Sequence, residues 1–577
     1  MQRTGAHHMR YLALVTDYDG TLATDGRLAG RTSDALARVR NSGRRVILVT
    51  GRRLNDLRSV CPALDQFDSV VVENGAVLFD PRTGEETLLA KAPPPRFVER
   101  LHELGATPLT VGKVVVDTRL PHQAAVLQAI QEMGLELHVV FNRQAVMVLP
   151  TGVNKATGMD HALRRLGLSA HEVVGVGDAA NDHSFLERSE CAVAVANAEP
   201  AVRASADIVT RLPAGDGVVE LIDELLRDDL ARTQDMVREP LLVVGRHSDG
   251  AEVVLPPYGV NVLVAGPSAS GKSTATTGLI EQLLGYDYQV CVIDPEGDYG
   301  AMQGLITFGN EHHSVSVSEV LGFLEDPKIN LSVNLLGIPL ADRPSFFSQL
   351  FPALQSLRIR TGRPHWLILD EAHHVMPPEW VHFDSLIPQR LQGVVFVTVR
   401  PVHLAPTALS VVDLLIAIGP GPEETVNQVA QSIGRAVPWP KSLAHQPRRA
   451  VAWFPRRDEA PFSIELVRGR TERVRHQRKY ARGNMGEGSF YFTGPQGQHR
   501  LRAQNLVIFS QIADGIDEPT WLYHLRRGDY SRWFQQSVRD RYLADQARRV
   551  EQRADLDPTE TRKLIRGLIE ARYTLPA

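Results

Sequence analysis

No apolar stretch in this chain approaches the roughly 18 residues that a bilayer span needs, so a transmembrane helix is not expected. Cysteine is scarce: Cys61, Cys191 and Cys291 are far apart, odd in number and without a CxxC pair. That excludes a disulfide framework and a structural zinc site, and points to a reducing, cytoplasmic setting. Charge of one sign is lacking too, with 63 Lys and Arg against 67 Asp and Glu and a net charge of -4, so bulk charge names no partner. A signal-peptide layout is missing, because the apolar residues 11–16 run straight into Asp17 and Asp19; Met9 is a candidate start, with residues 1–8 a leader. What remains is a composition of 43% apolar and 23% charged residues, typical of folded enzymes. At 577 residues it calls for three or four domains.

Two sets of phosphate-handling residues follow one another. In the first, apolar runs at 11–16, 45–49, 70–72 and 173–176 read as buried strands. Each ends in polar residues: Asp17-Tyr18-Asp19-Gly20-Thr21, Thr50-Gly51-Arg52, Glu73-Asn74-Gly75 and Gly177-Asp178. Parallel sheets present catalytic groups at such ends. Asp17 is the candidate nucleophile toward phosphorus, and Asp19 the candidate acid and base. Thr50 and Lys155 are candidates to stabilise phosphoryl oxygens. Asp17, Asp19, Asp178 and Asp182 are candidate Mg²⁺ ligands. An Asx-rich helix-capping turn explains a lone DxDGT, but not four motifs in order.

These residues resemble the haloacid-dehalogenase (HAD) superfamily over about 10–215, in its sugar-phosphatase-like branch related to Cof and sucrose-phosphate phosphatases. The resemblance implies Mg²⁺-dependent hydrolysis of a phosphorylated small molecule such as a sugar phosphate. It also implies a Rossmann-like α/β core within residues 1–228 and a substrate-selecting α/β cap at about 82–150.

In the second set, an apolar strand at 262–265 opens into Gly266-Pro-Ser-Ala-Ser270-Gly271-Lys272-Ser273-Thr274. Glycines let backbone N–H groups curl around phosphates, Lys272 reaches the terminal phosphates, and Ser273 is a candidate Mg²⁺ ligand. Residues 366–369 form another strand ending in Asp370-Glu371, suited to holding Mg²⁺ and polarising water respectively. With Asp294-Pro-Glu-Gly-Asp298-Tyr299 and Thr398 after a strand at 394–397, residues 240–435 resemble HerA/FtsK-type P-loop ATPases. That implies an α/β P-loop NTPase domain over 240–455, ATP as ligand, Thr398 as a γ-phosphate sensor, and a hexameric homo-oligomer completed by an arginine from a neighbour. Arg390, Arg400 and Arg435 are candidates for that arginine. His373 and His374 are adjacent, so they point in different directions and read as packing beside Glu371 rather than metal ligands.

The third region begins with a basic linker at 456–484, where seven basic residues between Arg468 and Arg482 fit either a solvated face or a nucleic-acid contact. Residues 485–577 read as a small, mostly helical domain, similar to helical accessory domains at the C-termini of prokaryotic phosphatase and carbohydrate-related proteins. There His524, Asp529 and Trp533 fit a capped helical core better than a site. The favoured whole is a bifunctional phosphatase and ATPase. The alternatives are a nucleic-acid end-processing phosphatase/kinase and a nucleic-acid-associated defence or scaffold ATPase that uses a phosphatase fold for sensing.

Overall fold

The computed structural model describes residues 9–142, 144–268, 270–300, 302–377, 391–440, 450–467, 469, 485, 488–538 and 540–573. The candidate leader, Arg390 and the seven basic residues from Arg468 to Arg482 lie outside the described residues. The chain divides into two compact units, Met1–Gly297 with Gly304–Arg470 and Asp298–Gln303 with Thr471–Ala577. Among the described residues no helix is long and apolar enough to cross a membrane. All three cysteines are free and buried.

Two large sheets form the bulk of the first unit. The first has eight strands in the order Ile208–Val209, Cys191–Ala194, Val173–Gly177, Ala13–Thr16, Arg45–Val49, Ser69–Val72, Val77–Phe79 and Glu86–Leu88. The first six are parallel and the last two antiparallel. Ala13–Thr16 and Val173–Gly177 are buried at every residue, because helices cover both faces; such strands must be written as continuous apolar runs. All parallel strands run the same way, so the polar tips after Thr16, Val49, Val72 and Gly177 gather along one edge.

Between the third motif strand and Lys155 lies a second small layer. An antiparallel sheet, Leu137–Asn142, Ala145–Pro150, Val116–Arg119 and Thr110–Val111, carries the helices Pro95–Glu103 and Gln123–Met133. Phe97, Leu101, Val126, Val146 and Val148 form its own core. Cross-strand pairing sets Thr110, Asp117 and Met147 in one row and Arg119 and Ala145 in the next. Alternation places these residues on the face opposite Val116, Val146 and Val148.

The second large sheet has eleven strands. Its parallel part runs Leu414–Ala417, Asn261–Ala265, Val394–Thr398, Trp366–Leu369, Val290–Asp294, Leu331–Asn334 and Ile306–Phe308. An antiparallel extension adds Ala450–Trp453, Phe462–Leu466, Leu242–Arg246 and Glu252–Leu255. The antiparallel pair Leu242–Arg246 and Glu252–Leu255 thus joins the same sheet.

The two sheets dock through a buried polar seam. His365 Nε2 meets Glu172 Oε1 at 2.6 Å and its Nδ1 accepts the Gln289 N–H at 2.7 Å. His171 stacks on Tyr288 with centroids 3.8 Å apart and bonds Glu190 at 2.7 Å. Burial pushes the Glu172 carboxyl up, but His365, Arg363 and the Ser169 N–H outweigh it and hold the group below its usual range.

In the second unit, a hairpin of Phe490–Phe492 and Leu501–Ala503 precedes five helices, Leu506–Gly515, Glu518–Arg526, Asp529–Gln536, Arg541–Glu551 and Pro558–Tyr573. Phe490, Phe509, Trp521, Tyr530 and Trp533 fill its core. His524 accepts the Thr493 N–H and bonds Asp529 at 2.9 Å, while Trp533 Nε1 donates to Gly488 O. These bonds spend the three residues on structure.

Candidate active site

Asp17 emerges from the strand Ala13–Thr16 with its N–H on Val176 O at 3.1 Å, which fixes it beside the Gly177-Asp178 strand end. Lys155 opens the helix Lys155–Arg165, whose Asn154 cap accepts the Thr157 N–H. The lysine is 1% exposed, and its Nζ lies 2.5 Å from both Asp17 Oδ1 and Asp182 Oδ1. The other oxygen of Asp182 accepts the N–H groups of Asp178 and Ala179 at 2.9 Å each. Thr21 donates to Asp178 Oδ1 at 3.0 Å. Oxygens of Asp17, Asp178 and Asp182 all lie within 4.8 Å of one another.

Burial and the Asp182 charge push Asp17 well above the usual carboxylate range, with Lys155 pulling the other way. Burial acts to lower Lys155, yet the Asp17 and Asp182 charges outweigh it and keep the ammonium protonated. Three buried carboxylates, two of them bonded to one ammonium, form an oxygen-only donor set, which suits a hard divalent ion such as Mg²⁺. Thr50 is buried nearby, its Oγ1 accepting the Arg52 N–H at 3.2 Å.

The structure gathers Asp17, Asp178 and Asp182 but not the Asp19 carboxylate. Arg52 holds that group in a two-pronged ion pair, Nε to Oδ2 at 2.6 Å and Nη2 to Oδ1 at 2.7 Å. Asp19 therefore stands on the wall of a cavity of about 630 Å³ that Asp17, Thr50, Arg52, Arg53, Lys155 and Asn181 line from the core. The inserted sheet closes it with Thr110, Asp117, Arg119, Ala145 and Met147. Burial raises Asp117 to about 6, against the pull of Arg53.

Residues 14–108 and 106–222 match the family described as haloacid dehalogenase-like hydrolase. Phosphoglycolate phosphatase of Halorubrum lacusprofundi is 32% identical over 223 residues, covering 37% of this chain and 96% of the relative. The chain belongs to the haloacid dehalogenase-like hydrolases. Phosphoglycolate phosphatase 2 of Saccharolobus solfataricus is 27% identical over 232 residues, 39% of this chain and 97% of the relative. Among solved structures, a haloacid dehalogenase-like hydrolase from Bacteroides thetaiotaomicron is 20% identical, covers 37% of this chain and all of its own, and gives a TM-score of 0.33. The HAD segment carries phosphatase activity, and its buried aspartate triad fits the family's use of Mg²⁺.

Beyond the HAD segment, the glycine-rich loop joins the strand Asn261–Ala265 to the helix Lys272–Gly285. Lys272 is buried and donates to Gly266 O at 2.8 Å and Pro267 O at 3.0 Å. Ser270 and Gly271 end the loop, while Ser273 and Thr274 occupy the first helical turn, whose N–H groups have no partner within the helix. The strand Val394–Thr398 lies between this strand and Trp366–Leu369, so Thr398 stands between the loop and Asp370-Glu371. Asp370, Glu371 and Thr398 are all buried. Glu371 adopts φ 40, a left-handed conformation costly for a non-glycine residue. His373 Nδ1 lies 3.2 Å from Thr398 Oγ1 and 3.6 Å from Glu371 Oε2. Burial and the surrounding cations drop its pKa to about 4, so the ring is neutral at pH 7.

Arg52 and Glu73 stand at strand ends in the sequence with nothing there to mark a role, and Asp117 and Arg119 carry no motif at all. The alternation in 116–119 was the available signal, since it sets Asp117 and Arg119 on one face.

Proposed function

We propose that this chain is a Mg²⁺-dependent phosphate-monoester hydrolase working through an aspartyl-phosphate on Asp17, joined to an ATP-binding and ATP-hydrolysing domain. The observation that carries the first half is the grip of one buried lysine on Asp17 and Asp182, within a triad of aspartates. A carboxylate oxygen of Asp17 attacks phosphorus as the bond to the leaving oxygen breaks, and Asp19 gives that oxygen its proton. Water then attacks phosphorus, Asp19 takes a proton from it, and Asp17 is released with inorganic phosphate. Thr50 and Lys155 stabilise the phosphoryl oxygens. Asp17, Asp178 and Asp182 would hold Mg²⁺, which masks the negative charge that otherwise repels the nucleophile.

The substrate is a small phosphorylated molecule whose leaving group meets Asp117, Arg119 and Met147. Phosphoglycolate, which the relatives' name carries, and sugar phosphates are the first compounds to compare. Phosphate release from such a panel, set beside Asp17→Asn, tests the reading. An Asp17→Asn protein as active as wild type would end it.

For the second half, Lys272 and the first helical turn support ATP binding, Ser273 and Asp370 a magnesium site, and Glu371 with Thr398 hydrolysis. We place the ATP contacts on Gly266, Ser270, Gly271, Lys272, Ser273, Thr274 and Thr398. Assembly into a homo-oligomer through this domain and a cytoplasmic home belong to the same reading. Light scattering with and without ATP, together with ATP turnover by wild type and Lys272→Ala, tests it.

A further inference from the structure

The turn Glu73–Gly75 has three consecutive residues in the left-handed region, with φ of 52, 55 and 104. Two of them are not glycine, and such a run persists only where its surroundings hold it. Every side of the turn is in fact held. The Glu73 N–H donates to Arg52 O at 2.9 Å and the Asn74 N–H to Thr50 O at 3.1 Å, so its backbone is bonded to the strand end that supplies Thr50 and Arg52. Asn74 Oδ1 accepts from Asn181 Nδ2 at 3.3 Å, one residue before Asp182. A Cβ at Gly75 would stand 1.8 Å from Asn154 O, so the turn lies flat against the start of the helix that carries Lys155.

Its fourth connection leaves the core. Glu73 is 3% exposed, and its carboxylate accepts three consecutive N–H groups of the inserted sheet: Lys113 at 2.8 Å, Val114 at 2.8 Å and Val115 at 3.0 Å. A Cβ on Gly112 would come within 2.5 Å of Glu73 Oε2, so the sheet is pulled onto that carboxylate as closely as a backbone can come. Hydrogen bonds to an ionised acceptor are about twice as strong as neutral ones. The residues tied down are the strand lead-in to Val116–Arg119, which carries Asp117 and Arg119 into the cavity.

We propose that Glu73 is a positioning residue for ester hydrolysis: its carboxylate sets the cap face against the catalytic groups, and the turn it belongs to is where cap placement and the catalytic centre are mechanically joined. The proposal rests on the phosphatase reading of the pocket. It predicts that loosening the clasp harms esters in proportion to how far their leaving group reaches the cap.

The test compares p-nitrophenyl phosphate, whose ring extends toward the cap, with acetyl phosphate, whose leaving group is small. Glu73→Gln keeps the shape but turns an amide NH₂ toward backbone donors. It should raise KM for p-nitrophenyl phosphate about tenfold, the equivalent of one lost charged hydrogen bond. The kcat for acetyl phosphate should move by less than about twofold, well under one hydrogen bond's worth. Gly112→Ala disturbs the same clasp from the cap side and should give the same split; it decides the matter should Glu73→Gln not fold. Equal losses on both substrates, or no loss on either, overturn the proposal. A wild-type protein inactive on both the ester and the acyl phosphate would instead overturn the phosphatase reading.

Discussion

Replacing Lys155 by methionine removes the one ammonium that Asp17 and Asp182 share, and the consequence can be worked out from burial. The lysine is 1% exposed and Asp182 0%, so solvent cannot take over the lost role. Breaking a buried ion pair by removing one partner costs about 3–5 kcal/mol, because the remaining charges stay buried. For a domain of this size each kcal/mol moves Tm by about 2–4 °C, which puts the drop between about 6 and 20 °C. A divalent cation in the aspartate triad supplies charge at the same place. At a hundredfold excess over its Kd, it returns about 2.7 kcal/mol. Thermal unfolding in EDTA and in saturating MgCl₂, for wild type and Lys155→Met, reads both effects. Mg²⁺ should raise the variant's Tm by more than it raises that of wild type. Equal Mg²⁺ shifts, or a variant melting within about 2 °C of wild type in EDTA, less than 1 kcal/mol, would refute the reasoning.

Other expectations follow from single groups. Asp117, raised to about 6 by burial, is neutral below that pH; its contribution to stability is fully present below the ordinary aspartate value of about 4 and lost as pH rises through 6. Its charge then faces the incoming phosphate, so KM should climb above pH 6, and Asp117→Asn should flatten that climb. Lys272→Ala should lower ATP turnover by about a hundredfold or more, the scale of one lost anion-stabilising group. Comparing its phosphatase rate with wild type then reads coupling directly: equal rates with ATP present argue for independent sites. Glu172 is held below its usual range, so its contribution is present above about 4.5 and lost as pH falls through the lowered value. Glu172→Ala leaves His365 buried without its acid, and should expose residues 229–241 to limited proteolysis at pH 7; an unchanged cleavage pattern would count against the seam.

The sheet of the HAD segment was legible because burial on both sides forces an apolar run. Residues 45–49 and 173–176 were read as strands and are found as Arg45–Val49 and Val173–Gly177. The strand read at 11–16 is assigned from Ala13, and with Leu12 donating to Glu172 O the ladder begins one residue inside the expected start. The aspartates were legible for a different reason: a strand end followed by DxDGT or GDxxND has few competing uses. The Asp19 carboxylate stands outside the aspartate triad because Arg52, 33 residues away, captures it, and a pairing of that kind depends on tertiary geometry. Nothing about a glutamate announces the φ of 52 at Glu73; glycine or asparagine is the residue type that signals such a turn. The seam was equally hidden. His171, Glu172, Glu190 and His365 sit before or between strands, where polar residues ordinarily mean solvated loops.

That seam also constrains any communication between the two sheets. Glu172 immediately precedes Val173–Gly177, whose far end delivers Asp178, and His365 immediately precedes Trp366–Leu369, whose far end delivers Asp370-Glu371. Their contact at 2.6 Å therefore joins the two strands at their amino ends, with both sets of acids at the opposite ends. At about 3.3 Å per residue, each acid stands on the order of 15–20 Å from the junction. Each span exceeds the Debye length of about 8 Å in physiological salt, so direct electrostatic coupling by way of the junction is weak. Coupling between the halves consequently needs a mechanical element with two arrangements. The strands themselves are poor candidates, being buried and bonded on both edges. The seam is the better one, because its His, Glu and Tyr groups are joined by hydrogen bonds that can exchange partners. Substitutions at Glu172 and His365 should then alter the response of one site to ligand at the other while leaving each site's own chemistry intact.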